Sequence, residues 1–105
     1  MSEIQILWFE GCPNHQAARE IVEDVLRTRG IAARVESIRI DDDAEARASH
    51  FPGSPTIRVG GDDIEPRFED PGDYSLSCRV YLTTDGLRGI PERRWFEDAL
   101  ARAGM

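Results

Sequence analysis

Cys12 and Cys78 are the only cysteines in the chain, and the neighbours of each bear on what its sulfur can do. A thiolate is the nucleophile and the soft-metal ligand, and a free cysteine near neutral pH is mostly thiol. Cys12 lies in Trp8-Phe9-Glu10-Gly11-Cys12-Pro13-Asn14-His15, where an apolar run gives way to a turn and then to a helix. A helix start offers unpaired N–H groups and the positive end of the dipole, and both favour a thiolate. With Cys12 as the helix cap, His15 stands three residues on and on the same face. Its imidazole is then expected to reach the sulfur, lower its pKa and give a proton to a leaving thiolate. Glu10 acts in the opposite sense, since a nearby negative charge raises a thiol pKa; depression is the expected net result. A histidine cannot form a disulfide, so a mixed disulfide at Cys12 needs a second thiol. Cys78, a low-molecular-weight thiol or a second protein would serve. Cys78, in Ser75-Leu76-Ser77-Cys78-Arg79, has an electropositive neighbour in Arg79.

The elements that must position these residues follow from the apolar pattern. Glu3 to Phe9 reads as a largely buried strand, with Ile4, Ile6 and Leu7 or Phe9 inside, which suits a central strand covered on both faces. Pro13 falls in the first turn of a helix, where proline is tolerated. Ala17, Ala18, Ile21, Val22, Val25 and Leu26 then form one stripe at helical spacing, and Gly30 is a natural stop. The segment 32–41 predicts a second strand carrying Ile38 and Ile40. Strand, helix and strand make a crossover that leaves the two strands parallel. Asp43 is read as the N-cap of a short helix, Ala44 to about Ser49. Ile57 and Val59 alternate before Gly60-Gly61, and Ile64 begins the return of a hairpin. Residues 67–78 read as a long polar loop, a length that is often functional. Cys78 to Thr84 is a further short strand, turned at Asp85-Gly86. Pro91 opens a last helix with Trp95, Phe96, Ala99, Leu100 and Ala103 on one face.

Composition narrows the classes of function. With 105 residues, one domain spanning 1–105 is expected. Hydrophobic content of 40% and charged content of 31% fit a globular protein that needs no staple. No apolar run approaches the ~20 residues of a membrane span, and Glu3 stands where a secretory leader carries positive charge. A cytoplasmic location is expected, and two cysteines there are reactive, ligating or inert before they are a structural bridge. The formal charge of −7, with arginines interleaved among acids, argues against nucleic acid as a partner.

The order β-α-β-α-β-β-(β)-α, with its Cys-x-x-His after the first strand and Ser54-Pro55-Thr56 before a later one, resembles the thioredoxin-like superfamily. Members place a Cys-x-x-Cys motif or a one-cysteine variant at the same junction, with Cys12 at the nucleophile position and His15 where the second cysteine usually stands. A cis-proline before the third core strand is a second hallmark, and Pro55 is similar to it. The layout is nearer to glutaredoxin than to thioredoxin proper. The resemblance implies an α/β thioredoxin-like fold, a central mixed sheet of four to five strands flanked by helices. It also implies a substrate strand held at Ser54 and Pro55, with Trp8 beside them, and a final segment that brings Cys78 near Cys12.

Three functions are weighed on these residues. The first is a small thiol–disulfide oxidoreductase with Cys12 as nucleophile, Cys78 or an external thiol as resolver, a protein or small-thiol substrate and no cofactor. The second is capture of zinc, copper or mercury by Cys12, His15 and Cys78, with His50 as a fourth ligand. The third is a thioredoxin-like binding domain without turnover.

Overall fold

The chain is built on β1 (Ile4–Trp8), which is apolar toward both sides. Ile4 and Ile6 bury against one layer and Leu7 against the other. The structure is a computed structural model that describes residues 3–105; Met1 and Ser2 of the expected 1–105 domain lie outside the described residues. After β1 comes α1 (His15–Arg29), whose buried stripe is Ala18, Val22, Val25 and Leu26. It ends at Gly30, whose φ of 64° is the left-handed conformation that a Cβ disfavours. There the Ile31 N–H reaches back to the Leu26 carbonyl at 2.9 Å, closing the helix end. Next, β2 (Val35–Arg39) pairs in parallel with β1, Ile4 facing Val35. It is an edge strand with mostly open side chains. Of its two expected anchors, Ile40 is buried and Ile38 only half-buried.

The short helix α2 (Asp43–Ala48) begins one residue earlier than expected. The cap is Asp42 and not Asp43: Asp42 has an extended backbone, and its carboxylate accepts the Glu45 N–H at 2.8 Å. Phe51 and Ala46 then close over Leu7 and Ile40. β3 (Thr56–Val59) runs antiparallel to β1 with Ile6 opposite Ile57. Gly60-Gly61 turns it into β4 (Asp62–Asp63), so the return precedes Ile64 by two residues. The sheet is mixed and four-stranded, in the order β2-β1-β3-β4.

The strand expected after Cys78 does not extend this sheet. β5 (Tyr81–Thr83) and β6 (Gly86–Arg88) form a separate hairpin. It is tied to the body by an isolated bridge between Ser54 and Cys78. The final helix α3 (Arg93–Arg102) starts two residues beyond Pro91 and lays Trp95, Phe96, Ala99 and Leu100 into the α1 side of the sheet. Ala103 is exposed, outside that face. Among the described residues no helix is long and apolar enough to cross a membrane. The β1–α1 junction, the turn before β3 and the strand before β5 therefore meet at one place.

Candidate functional site

Cys12 sits two residues before the helix cap, not on it. Asn14 is the N-cap and His15 the first helical residue of α1. The Cys12 N–H closes a turn onto the Phe9 carbonyl at 3.1 Å, which folds the side chain inward. The result is a residue only 2% exposed. The Cys12 thiol donates to the Ser54 carbonyl at 3.5 Å, and the Asn14 N–H donates to the sulfur at 3.4 Å. One contact suits the thiol and the other the thiolate, so either protonation state has a partner.

His15 does not address the sulfur. Its Nδ1 lies 2.8 Å from the Cys12 carbonyl oxygen. A carbonyl only accepts, so Nδ1 carries the proton and a neutral ring keeps Nε2 as its acceptor. The ring also stacks on Trp8, with centroids 4.2 Å apart and planes 19° from parallel. Trp8 is half-buried, and its Nε1–H donates to Ser37 Oγ at 2.8 Å. His15 is at the first helical position because Pro13 and Asn14 take up the turn; from there its ring reaches the Cys12 backbone rather than its side chain. The expected proton donor is a positioning group in this structure.

Ser54 is the hub. The residue is wholly buried, and the Ser54–Pro55 peptide is cis. The Phe9 N–H donates to its hydroxyl at 3.4 Å. Its own N–H donates to the Ser77 carbonyl at 2.8 Å, and its carbonyl accepts the Arg79 N–H at 2.9 Å. The segment Ser77–Arg79 thus lies against Ser54 as a parallel strap, with Cys78 at its centre. Both thiols are free, Cys12 buried and Cys78 exposed. Burial pushes the Cys78 pKa up, and the nearby Cys12 adds to the rise. Cys12 Sγ on the Ser54 carbonyl and Cys78 bridged to the Ser54 backbone bring both cysteines to the same residue.

What fastens the strap is a set of residues whose role the sequence did not reveal. Arg79, read as an electropositive neighbour of Cys78, turns the other way and is 6% exposed. It donates to Asp63 at 2.6 Å, Glu65 at 2.9 Å and Thr56 Oγ1 at 3.0 Å. Burial alone lowers its pKa, but the Asp63 and Glu65 carboxylates outweigh that and hold it above the ordinary value. Its charge is therefore spent within the fold and not offered to Cys78. Tyr81, fully buried, donates its hydroxyl to the Pro55 carbonyl. Gly53 permits the approach: its φ is 129°, and a Cβ there would stand 2.9 Å from Arg79 Cβ.

The structure thus brings Cys12, Cys78, Ser54, Pro55, His15 and Trp8 to one junction. It does not bring His50, which holds Asp70 at 3.3 Å and the Tyr74 hydroxyl at 3.1 Å. Among the described residues no three Cys, His, Asp or Glu side chains converge to hold a metal ion. The acidic run serves local structure: Asp41 pairs with Arg39, Asp42 caps α2 and Asp43 accepts the Leu76 N–H. No family model matches the chain, and neither a curated protein nor a solved structure matches it.

Proposed function

We propose that this protein is a thioredoxin-like dithiol–disulfide redox protein whose working pair is Cys12 and Cys78. The observation that carries this reading is the convergence of both cysteines on Ser54, Cys12 buried with its thiol on the Ser54 carbonyl and Cys78 exposed on the strap bridged to Ser54. The order of elements around β1, with Cys12 at the β1–α1 junction and Ser54-Pro55 ahead of β3, supports the thioredoxin-like assignment.

Exposure reverses the order of attack expected from the sequence. A substrate sulfur meets Cys78 first, and Cys12 resolves. The Cys78 thiolate attacks one sulfur of a substrate disulfide; the Cys78–substrate bond forms, the substrate bond breaks, and the other substrate sulfur leaves as a thiolate that takes a proton from water. Cys12 then attacks Cys78 Sγ, the internal disulfide forms and the second substrate thiolate leaves. Two electrons pass to the substrate, and an external thiol of protein or small-molecule class returns the pair to the dithiol. In the opposite direction Cys12 is the leaving sulfur, and the Asn14 N–H is placed to receive its charge. The two sulfurs also support a second reading, two-coordinate capture of a thiophilic ion such as copper(I) or mercury(II).

Mass spectrometry separates these. Mild oxidation with a small disulfide is expected to remove two hydrogens and to yield a linked Cys12–Cys78 peptide. Cys78→Ser is expected to give no bridge. A bridge-free, unmodified wild-type protein after oxidation would overturn the dithiol reading, and a stoichiometric metal adduct in its place would support the second.

A further inference from the structure

The strand that carries Cys78 alternates from Leu76 to Leu82. Ser77 is half-buried, Arg79 is 6% exposed and Tyr81 is fully buried. The side chains between them face out: Leu76 at 37%, Cys78, Val80 at 62% and Leu82 at 72%. Leu87, opposite Leu82 in the hairpin, is also 72% exposed. These four are all of the exposed large apolar side chains among the described residues. Leu76, Val80 and Leu82 form one line with an open thiol in it, and Leu87 flanks its end. Apolar side chains scattered singly need no explanation, but a contiguous patch marks an interaction site.

We infer that this stripe is the docking surface for an extended polypeptide whose cysteine is followed at two and four residues by apolar side chains. The inference rests on the dithiol reading, since the cysteine is the sulfur that exchanges with Cys78. The match is one of period. Residues two apart on an extended chain are spaced ~6.8 Å on one side, so a partner strand lying along the stripe meets Cys78, Val80 and Leu82 with its own positions one, three and five. A second copy of the chain fits less well. The stripe offers on the order of 400 Å² of apolar surface, about half of what each partner in a stable complex buries. Two copies of formal charge −7 also repel. A small acidic thiol gains nothing from four apolar side chains.

Two synthetic peptides test this, Ser-Cys-Ser-Val-Ser-Leu-Gly and the same chain with Asp at the Val and Leu positions. Each is supplied as a mixed disulfide with a coloured aromatic thiol. Attack by Cys78 releases the aromatic thiolate and joins the peptide to Cys78; closure by Cys12 then frees the peptide thiol. With reduced wild-type protein the apolar peptide is expected to release colour about tenfold faster than the acidic one. Leu82→Ser and Leu87→Ser are each expected to bring that ratio toward one. Equal rates for the two peptides on the wild-type protein would overturn the docking inference alone, as would a ratio unchanged in both variants. So would a wild-type dimer in sedimentation that Leu82→Ser dissociates, since the second copy would then own the stripe. If a symmetric aromatic disulfide also fails to react and no internal bridge forms, the dithiol reading fails and the docking inference with it.

Discussion

At the scale of single residues the two cysteines differ in access and in charge. Cys12 is buried with its thiol on the Ser54 carbonyl, while Cys78 is open and titrates with Cys12 nearby. Burial and the nearby Cys12 both disfavour the Cys78 thiolate, so its pKa lies above that of a free thiol. Alkylation of Cys78 by iodoacetamide is therefore expected to rise with pH along a curve shifted to higher pH than a cysteine model peptide. Cys12→Ser removes that sulfur and should move the curve back down, leaving only the effect of burial. A curve unmoved by Cys12→Ser would show that the two sulfurs do not sense each other in solution. The sequence showed that Cys12 and His15 are close. It did not show which atom the imidazole would bond, because that depends on where the helix begins. A two-residue change in the start of α1 moves His15 from the side of the sulfur to the side of the carbonyl.

At the scale of elements, β1, α1 and α3 were legible because their buried positions are Ile, Leu, Val, Ala, Trp and Phe at strand or helix spacing. The α2 cap was misplaced by one residue within Asp41-Asp42-Asp43, where every candidate has the same side chain. The buried face of the strap was not legible for a physical reason: its period is inverted. Arg79 and Tyr81 are the buried positions, and Val80 and Leu82 are the exposed ones. An apolar-in rule assigns each to the wrong side. Only the paired acids Asp63 and Glu65, two apart on the opposing segment, could have signalled a buried arginine. That network makes the strap an element and not a loose loop. Replacing Arg79 by Met is expected to leave Asp63, whose side chain is 3% exposed, without its partner, at a cost of about 3–5 kcal/mol. Urea unfolding of Arg79→Met and of the double variant with Asp63→Asn would measure it. The double variant should recover part of the loss, since the stranded charge is then gone. Independent, additive effects would contradict a coupled pair.

At the scale of the whole molecule, the sulfur pair joins two parts of the chain far apart in sequence. Cys12 belongs to the β1–α1 junction and Cys78 to the strap before β5, and a bridge between them closes a loop of about 65 residues, which in the chain-entropy view removes ~4 kcal/mol of freedom from the unfolded state. The folded protein already holds both ends. Ser54 bonds the strap on either side of Cys78, and Arg79 and Tyr81 fasten it below. With both ends held at Ser54, most of that entropy is expected to appear as added stability. The oxidised protein is accordingly expected to unfold at higher urea concentration than the reduced one, by about 2–4 kcal/mol at 25 °C, while Cys78→Ser should be indifferent to oxidant. Unfolding and oxidation form a closed cycle, so the same difference states how far folding favours the disulfide over the dithiol. Equal midpoints for the two forms would mean that the bridge pulls the strap off Ser54 and that strain cancels the entropy. In that case the resting arrangement of Cys12 and Cys78 about Ser54 would not be the geometry from which the bond forms.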